Sequence, residues 1–132
     1  MEKILGFCIQ IPNVPGALSK VTNILAKNKV NIIAILAPET NDFGLVRIFT
    51  NNFEKAKEIL DPVGYPFTFE EAYSIDLKDK EGVLNELLSK FSLLGININY
   101  IFSTTSTNGN SARVVLSIND KKRGEEVLKS FL

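Results

Sequence analysis

The feature that most limits how this chain can fold is a repetition. An apolar alternation runs into the turn Ile11-Pro12-Asn13-Val14-Pro15-Gly16-Ala17-Leu18. A related passage, Leu77-Lys78-Asp79-Lys80-Glu81-Gly82-Val83-Leu84, returns 66 residues later. The same offset joins Leu25 to Phe91, Asn31 to Asn97 and Ile32 to Ile98. Further on the offset becomes 68, joining Val46 to Val114, Asn51 to Asn119 and Leu60 to Leu128, so the second copy carries a two-residue insertion. Solenoid units repeat every ~20–50 residues, so a longer period suits two small domains of one kind. The expected division is 1–70 and 71–132. Halves of this size are marginal alone and are expected to be docked.

Leu5, Phe7, Ile9 and Ile11 predict a strand with one strongly apolar face. The turn from Pro12 to Gly16 follows, and Pro15 suits a first helical position, where its missing N–H costs nothing. Ala17, Leu18, Val21, Ile24 and Leu25 then predict a helix ending near Asn28. Asn31 to Ala37 reads as a strand apolar on both faces, which suggests burial from two sides or a subunit contact. Leu45 to Thr50 is a third strand. Asn51 or Asn52 caps a short helix with Phe53, Ala56, Ile59 and Leu60 inward, and Tyr65 to Phe69 is a fourth strand in which Pro66 fits an edge position.

In the second copy Tyr73, Ile75 and Leu77 repeat the first strand. Leu84, Leu87, Leu88, Phe91 and Leu94 mark its helix, which Gly95 stops. Strands over 96–103 and 112–118 flank a turn containing Asn108-Gly109, and Val127, Leu128 and Phe131 line a last helix. The order strand, helix, strand, strand, helix, strand predicts an α+β chain of two ferredoxin-like domains, each with helices on one face of an antiparallel sheet. The second copy ends before its fourth strand. Strand 72–78 should therefore have an open edge, and another chain or a segment borrowed from the first copy is expected to cover it.

Composition narrows the function classes. Fifteen acidic and fifteen basic residues balance, which argues against a nucleic-acid or anionic-membrane surface; Lys121-Lys122-Arg123 reads as a solvated helix start. No apolar run approaches the ~20 residues that span a bilayer, and the N-terminus lacks a signal-peptide pattern. With the single cysteine Cys8 no internal disulfide forms, and a reducing cytoplasm is the default. The absence of histidine excludes Ser-His-Asp and Cys-His nucleophiles and any histidine metal site. Cys8 reads as a packing residue and Asp42-Phe43-Gly44 as a turn, so no catalytic residue, metal site or cofactor is expected and the chain is read as a non-enzyme.

Ile9-x-Ile-Pro-Asn-Val-Pro-Gly-Ala-Leu-x-x-Val-x-x-x-Leu-Ala26, followed by Val30-Asn31-Ile32, resembles the opening of an ACT domain. Asp79-Lys80-Glu81-Gly82-Val83-Leu84 with Gly95-Ile96-Asn97-Ile98 is similar, and Asn41 to Arg47 resembles a third-strand entry in stand-alone tandem members. The resemblance implies side-by-side domains, a shared sheet and amino-acid binding between neighbours. A helix start offers unpaired N–H groups and partial positive charge to a ligand carboxylate. Gly16 allows close backbone approach, and the Asn13 side-chain oxygen can accept from an ammonium. The family's second wall is the neighbour's Asn-Ile strand start. Two pseudo-equivalent sites are thereby implied: Asn13, Val14, Pro15, Gly16, Ala17 and Leu18 facing Asn97 and Ile98, and Asp79, Lys80, Glu81, Gly82, Val83 and Leu84 facing Asn31 and Ile32. Asp79 and Glu81 put two carboxylates near a ligand carboxylate, with Lys80 in compensation, so the first loop reads as the better site.

Two functions follow from this reading. One is a regulatory module that senses a free amino acid and signals to its own homodimer or to an enzyme of amino-acid metabolism. The other is a ligand-free structural module that uses its sheet to bind another protein. The missing strand and the two-faced apolar strand make a homodimer the default oligomer.

Overall fold

The computed structural model describes residues 1–106 and 109–132. In chain order the elements are β1 (Glu2–Pro12), α1 (Ala17–Lys27), β2 (Ile32–Leu36), β3 (Phe43–Thr50), α2 (Phe53–Leu60), a 3-10 turn (Asp61–Val63), β4 (Phe67–Lys78), α3 (Val83–Leu93), β5 (Ile98–Thr104), β6 (Ser111–Ile118) and α4 (Lys121–Lys129). The chain divides into two compact units, Leu5–Glu70 and Glu71–Leu132, the latter including Met1–Ile4. The dividing points fall inside β1 and inside β4.

In the first unit the strands lie in the order β2-β3-β1-β4, the ferredoxin-like order. β1 and β2 both run antiparallel to β3, with Ile9 opposite Val46 and Ile35 opposite Ile48. Phe7, Ile9, Ile11, Val21, Leu25 and Ile48 close a core between sheet and helices. Leu5, expected on that apolar face, is 45% exposed, whereas Cys8 and Phe49 on the opposite pleat are buried. β2 does not have two buried faces, since Ile35 is exposed while Ala34 is buried. Asn52 caps α2 by accepting from the Lys55 N–H at 3.1 Å, and Asn51 instead accepts from the Asn31 N–H at 3.0 Å. Pro66 precedes β4, and its carbonyl accepts from Gln10 N–H at 2.9 Å.

The second unit repeats the plan with β4-β6-β5, Ile75 opposite Val114 and Phe102 opposite Val115. Tyr73, Leu77, Leu87, Phe91, Leu116 and Leu128 form its core. Leu84 and Leu94, expected to face inward, are exposed, and Leu93 is 86% exposed. The segment Met1–Ile4 belongs to this unit: Met1 packs against its core, Lys3 pairs with Glu125 at 3.1 Å, and the Tyr73 hydroxyl donates to the same carboxylate at 2.7 Å. The sheet order sets β1 beside β4, and Met1–Ile4, which include the start of β1, belong to the same unit as Glu71–Lys78 of β4.

The repetition extends to irregular detail. Each outer strand has a register shift at the same place, between Ile32 and Ala34 and between Ile98 and Tyr100. α3 ends with Gly95 in the left-handed region (φ 67°), and the Ile96 N–H bonds back to the Phe91 carbonyl at 2.9 Å. α1 ends the same way, but with Lys29 forced to φ 58°. Of the predicted Asn108-Gly109 turn, Asn108 lies outside the described residues.

Candidate functional site

The repeated turns are superimposable bond by bond. Ala17 N–H reaches the Val14 carbonyl at 3.2 Å, and Val83 N–H reaches that of Lys80 at 3.4 Å. Gly16 (φ 87°, ψ −13°) and Gly82 (φ 83°, ψ −8°) stand at the third position, the geometry that defines a type II turn. Pro15 is thus the second residue of this turn and not the first of the helix, which begins at Ala17. Gly16 then accepts from Lys20 at 3.0 Å and Gly82 from Glu86 at 2.9 Å. No side chain caps either helix. The N–H groups of Leu18 and Ser19, and of Leu84 and Asn85, have no acceptor within their helices and are available to an anion. α1 has no acidic residue in its first turn, whereas α3 carries Glu86 there.

The two turns differ in how they are held to the strand connection above them. Asn13 N–H donates to the Asp42 carbonyl at 2.8 Å, and Asp79 N–H to the equivalent Asn110 carbonyl at 3.2 Å. Asn13 adds two bonds from Nδ2, to the Thr40 carbonyl at 2.8 Å and the Asn41 carbonyl at 3.0 Å. Thr40 Oγ1 in turn bonds the Phe43 carbonyl. An aspartate carboxylate cannot donate, so Asp79 makes no such lacing. On that side Arg113 pairs with Asp76 at 3.5 Å, and the Ser106 and Ser111 hydroxyls meet at 2.7 Å.

A concavity lies beneath each turn. In the first unit it measures about 160 Å³, between Pro12, Asn13 and Leu18 below and Ala37, Pro38 and Thr40 above. In the second it measures about 520 Å³. Leu77, Val83, Leu84, Leu88, Ala112 and Val114 make its apolar lining, and Lys78, Asp79 and Lys80 bring charge to it. Glu81 is not part of the wall and Lys78 is, so the excess of carboxylate expected from the sequence is not found there. Ala37, Pro38 and Thr40, with Ser103, Ala112 and Val114, are wall residues that the sequence reading did not single out. The offsets of 66 and 68, which pair Ala37 with Ser103 and Val46 with Val114, contained that signal.

Asn31 and Asn97 occupy equivalent positions too. Asn51 Oδ1 accepts from Asn31 N–H at 3.0 Å, and the Asn31 carbonyl accepts from Asn51 N–H at 3.0 Å. Asn119 and Asn97 make the same exchange at 2.9 and 3.1 Å. Within each unit the Asn-Ile start and the glycine turn are at opposite ends of the sheet. Ile32 pairs with Thr50, one residue past the Gly6–Phe49 rung, while the turn follows Pro12. That is about seven strand residues, roughly 23 Å at ~3.3 Å per residue. Ile98 and the turn after Lys78 are separated in the same way in the second unit. No unit brings its own Asn-Ile start to its own turn.

Cys8 is buried and unpaired by disulfide. Burial pushes its thiol above the ordinary value, against the opposing pull of Arg47, and so disfavours the thiolate that nucleophilic chemistry uses. Among the described residues no cluster of three or more His, Cys, Asp or Glu side chains is placed to hold a metal ion. No described helix is long and apolar enough to cross a membrane.

The family of the ACT domain pair matches this chain over residues 2–130. Comparison with curated proteins gave no match. Among solved structures, a protein from Bacteroides thetaiotaomicron is similar at 29% identity and a TM-score of 0.88, covering 97% of this chain and 88% of that one. The ligand-free regulatory subunit of aspartate kinase from Thermus thermophilus is similar in fold at 20% identity and a TM-score of 0.66, covering 98% and 90%. The corresponding subunit from Thermus flavus gives 20% and 0.65, covering 99% and 91%.

Proposed function

The chain belongs to the ACT domain-pair family, a family of regulatory amino-acid-binding modules, and on that footing we propose that it binds a free amino acid and passes the event to a partner enzyme or to its own oligomer. The observation that carries the reading is the glycine turn made twice, each time delivering an uncapped helix start above a concavity. Such a start suits a carboxylate, and charged or amide side chains at the same corner suit an ammonium. The proposed sites are those around Asn13–Leu18 and Asp79–Leu84. The second walls, Asn97–Ile98 for the first turn and Asn31–Ile32 for the second, are proposed to come from a neighbouring domain, a reading supported by the distance of each start from the turn of its own unit.

Enzymes of amino-acid metabolism are the proposed partners, supported by the fold shared with aspartate kinase regulatory subunits. A homodimer is the proposed assembly, supported by Ile35, an exposed apolar residue on the outer strand β2. The lone buried thiol supports a reducing, cytoplasmic setting.

Thermal unfolding in the presence of each of the twenty amino acids tests the reading. A cognate ligand at about 100 times its Kd stabilises by roughly 2.7 kcal/mol, and the melting temperature rises with its concentration. Silence from all twenty with the fold intact favours instead the ligand-free interaction module, to which the exposed Leu93 and Ile35 would then belong.

A further inference from the structure

The two concavities are equivalent by position and unequal in everything a ligand would feel. Small-molecule sites typically enclose about 300–1,000 Å³. The second unit's cavity of about 520 Å³ falls inside that range and the first unit's of about 160 Å³ falls below it. The first is also laced shut at its corner by the two Asn13 amide bonds and presents no charged side chain. The second has an apolar floor of leucine and valine side chains, and a mouth that carries both signs of charge on Lys78, Asp79 and Lys80.

We infer that the cavity beneath the Asp79–Leu84 turn is the ligand-specifying site of this chain, and that it takes an α-amino acid with an aliphatic side chain of the leucine or isoleucine class, while its counterpart in the first unit serves as a structural closure. This rests on the amino-acid reading above and goes beyond it in choosing the site and the ligand class. The zwitterion accounts for the mouth: its carboxylate meets Lys80 and the free N–H groups of Leu84 and Asn85, and its ammonium meets Asp79. The aliphatic group accounts for the floor, where Leu77, Leu88 and Val114 supply dispersion contacts and offer no hydrogen-bond partner to a polar side chain. A lysine ligand would add a further cation to a wall that already holds two lysines and one aspartate, and an aspartate ligand would have to desolvate a second carboxylate beside the leucine and valine lining with only Lys78, Asn85 and Ser103 to offset it.

Titration calorimetry of the full chain with leucine, isoleucine, alanine, lysine and aspartate tests this. Leucine or isoleucine should bind at one site per chain. Alanine should bind at least ~10-fold more weakly, as each missing methylene in an apolar pocket costs about 10- to 200-fold. Ala112→Leu, which fills the cavity from an exposed wall position, should weaken leucine binding at least ~10-fold and leave the ligand-free melting temperature in place; Ser103→Leu, also exposed, does the same from another wall and replaces it if the first variant misfolds. Lys80→Glu should weaken every amino acid that binds. Equal affinity for leucine, alanine, lysine and aspartate, or full leucine affinity in the cavity-filling variants, overturns the inference and leaves amino-acid binding itself standing. No heat and no thermal shift with any of the twenty overturns both.

Discussion

Asn13 and Asp79 stand at matching corners of matching turns, with the same backbone bond to the strand connection opposite. The Asn13 amide spends both its hydrogens on that connection, at 2.8 and 3.0 Å, and Asp79 has none to spend. The two extra residues of the second copy lengthen its outer strand, β5 having seven residues against five in β2. One turn is therefore tied down over a small recess and the other opens over a large one, although the main chain of the two is the same. A duplicated fold keeps its scaffold in backbone hydrogen bonds and glycine conformations, and its differences reside in which side chains can donate.

The same contrast runs through the interiors. Phe7 stacks on Phe53 at 4.9 Å inside an aromatic group that includes Phe67 and Phe69. Its counterpart Tyr73 keeps a hydroxyl, and that hydroxyl is used on Glu125. Ala56 is buried in α2, whereas at its counterpart Gly124 a Cβ would come within 1.9 Å of Ile118 Cδ1, so that side chain would have to move to admit a methyl group. Ile118 answers to the smaller Thr50, so bulk gained on the strand is matched by bulk removed from the helix.

The largest effect expected from testing this pairing is in the cores. Phe91→Ala removes a fully buried ring and should cost about 3–5 kcal/mol in urea unfolding, against about 2–5 kcal/mol for its counterpart Leu25→Ala. The twofold scheme is then open to a direct challenge at the turns. Gly16→Ala and Gly82→Ala meet no atom within 4 Å, so each should lose only the backbone strain, about 1–2 kcal/mol, and the two losses should be equal. A difference of more than ~0.5 kcal/mol would mean that the turns are not mechanically alike. Lys29→Gly relieves a left-handed residue at the end of α1 and should stabilise by up to about 1 kcal/mol, bringing that terminus level with Gly95.

The smallest effect is electrostatic and confined to the second unit. The Tyr73 hydroxyl and then Lys3 hold the Glu125 carboxyl below its ordinary range. A depressed carboxylate stabilises above the unfolded value, about 4.3, and loses that contribution as pH falls through the folded value. Glu125→Gln should lower the melting temperature at neutral pH, with the difference closing under acid conditions. Lys57→Gln, at the matching place in the first unit, should show no such closure.

Much of the fold was legible because its signals are local. The offset repetition, the alternation in β1 and β4, the stripes of α1 and α2 and the stop at Gly95 all depend on neighbours within a turn or two of chain. Pro15 misled because proline suits the first residue of a helix and the second of a type II turn equally well, and only the left-handed Gly16 decides between them. Leu84 and Leu94 continue the helical stripe of α3, but periodicity does not reveal which positions of a stripe the opposing layer covers, and both are left exposed, Leu84 in the wall of the cavity. The candidate site was half legible. Its turn residues announced themselves by repetition, while the walls from Ala37 and Thr40 in a strand connection, and from Ser103 and Ala112 in β5 and β6, depend on tertiary contacts with a turn some thirty residues away.

The unit boundaries fall within β1 and within β4, and Met1–Ile4 serve the unit built from residues 71–132. Residues 71–132 taken alone would leave Met1–Ile4 behind, and removal of those four residues should destabilise the distal unit before the proximal one.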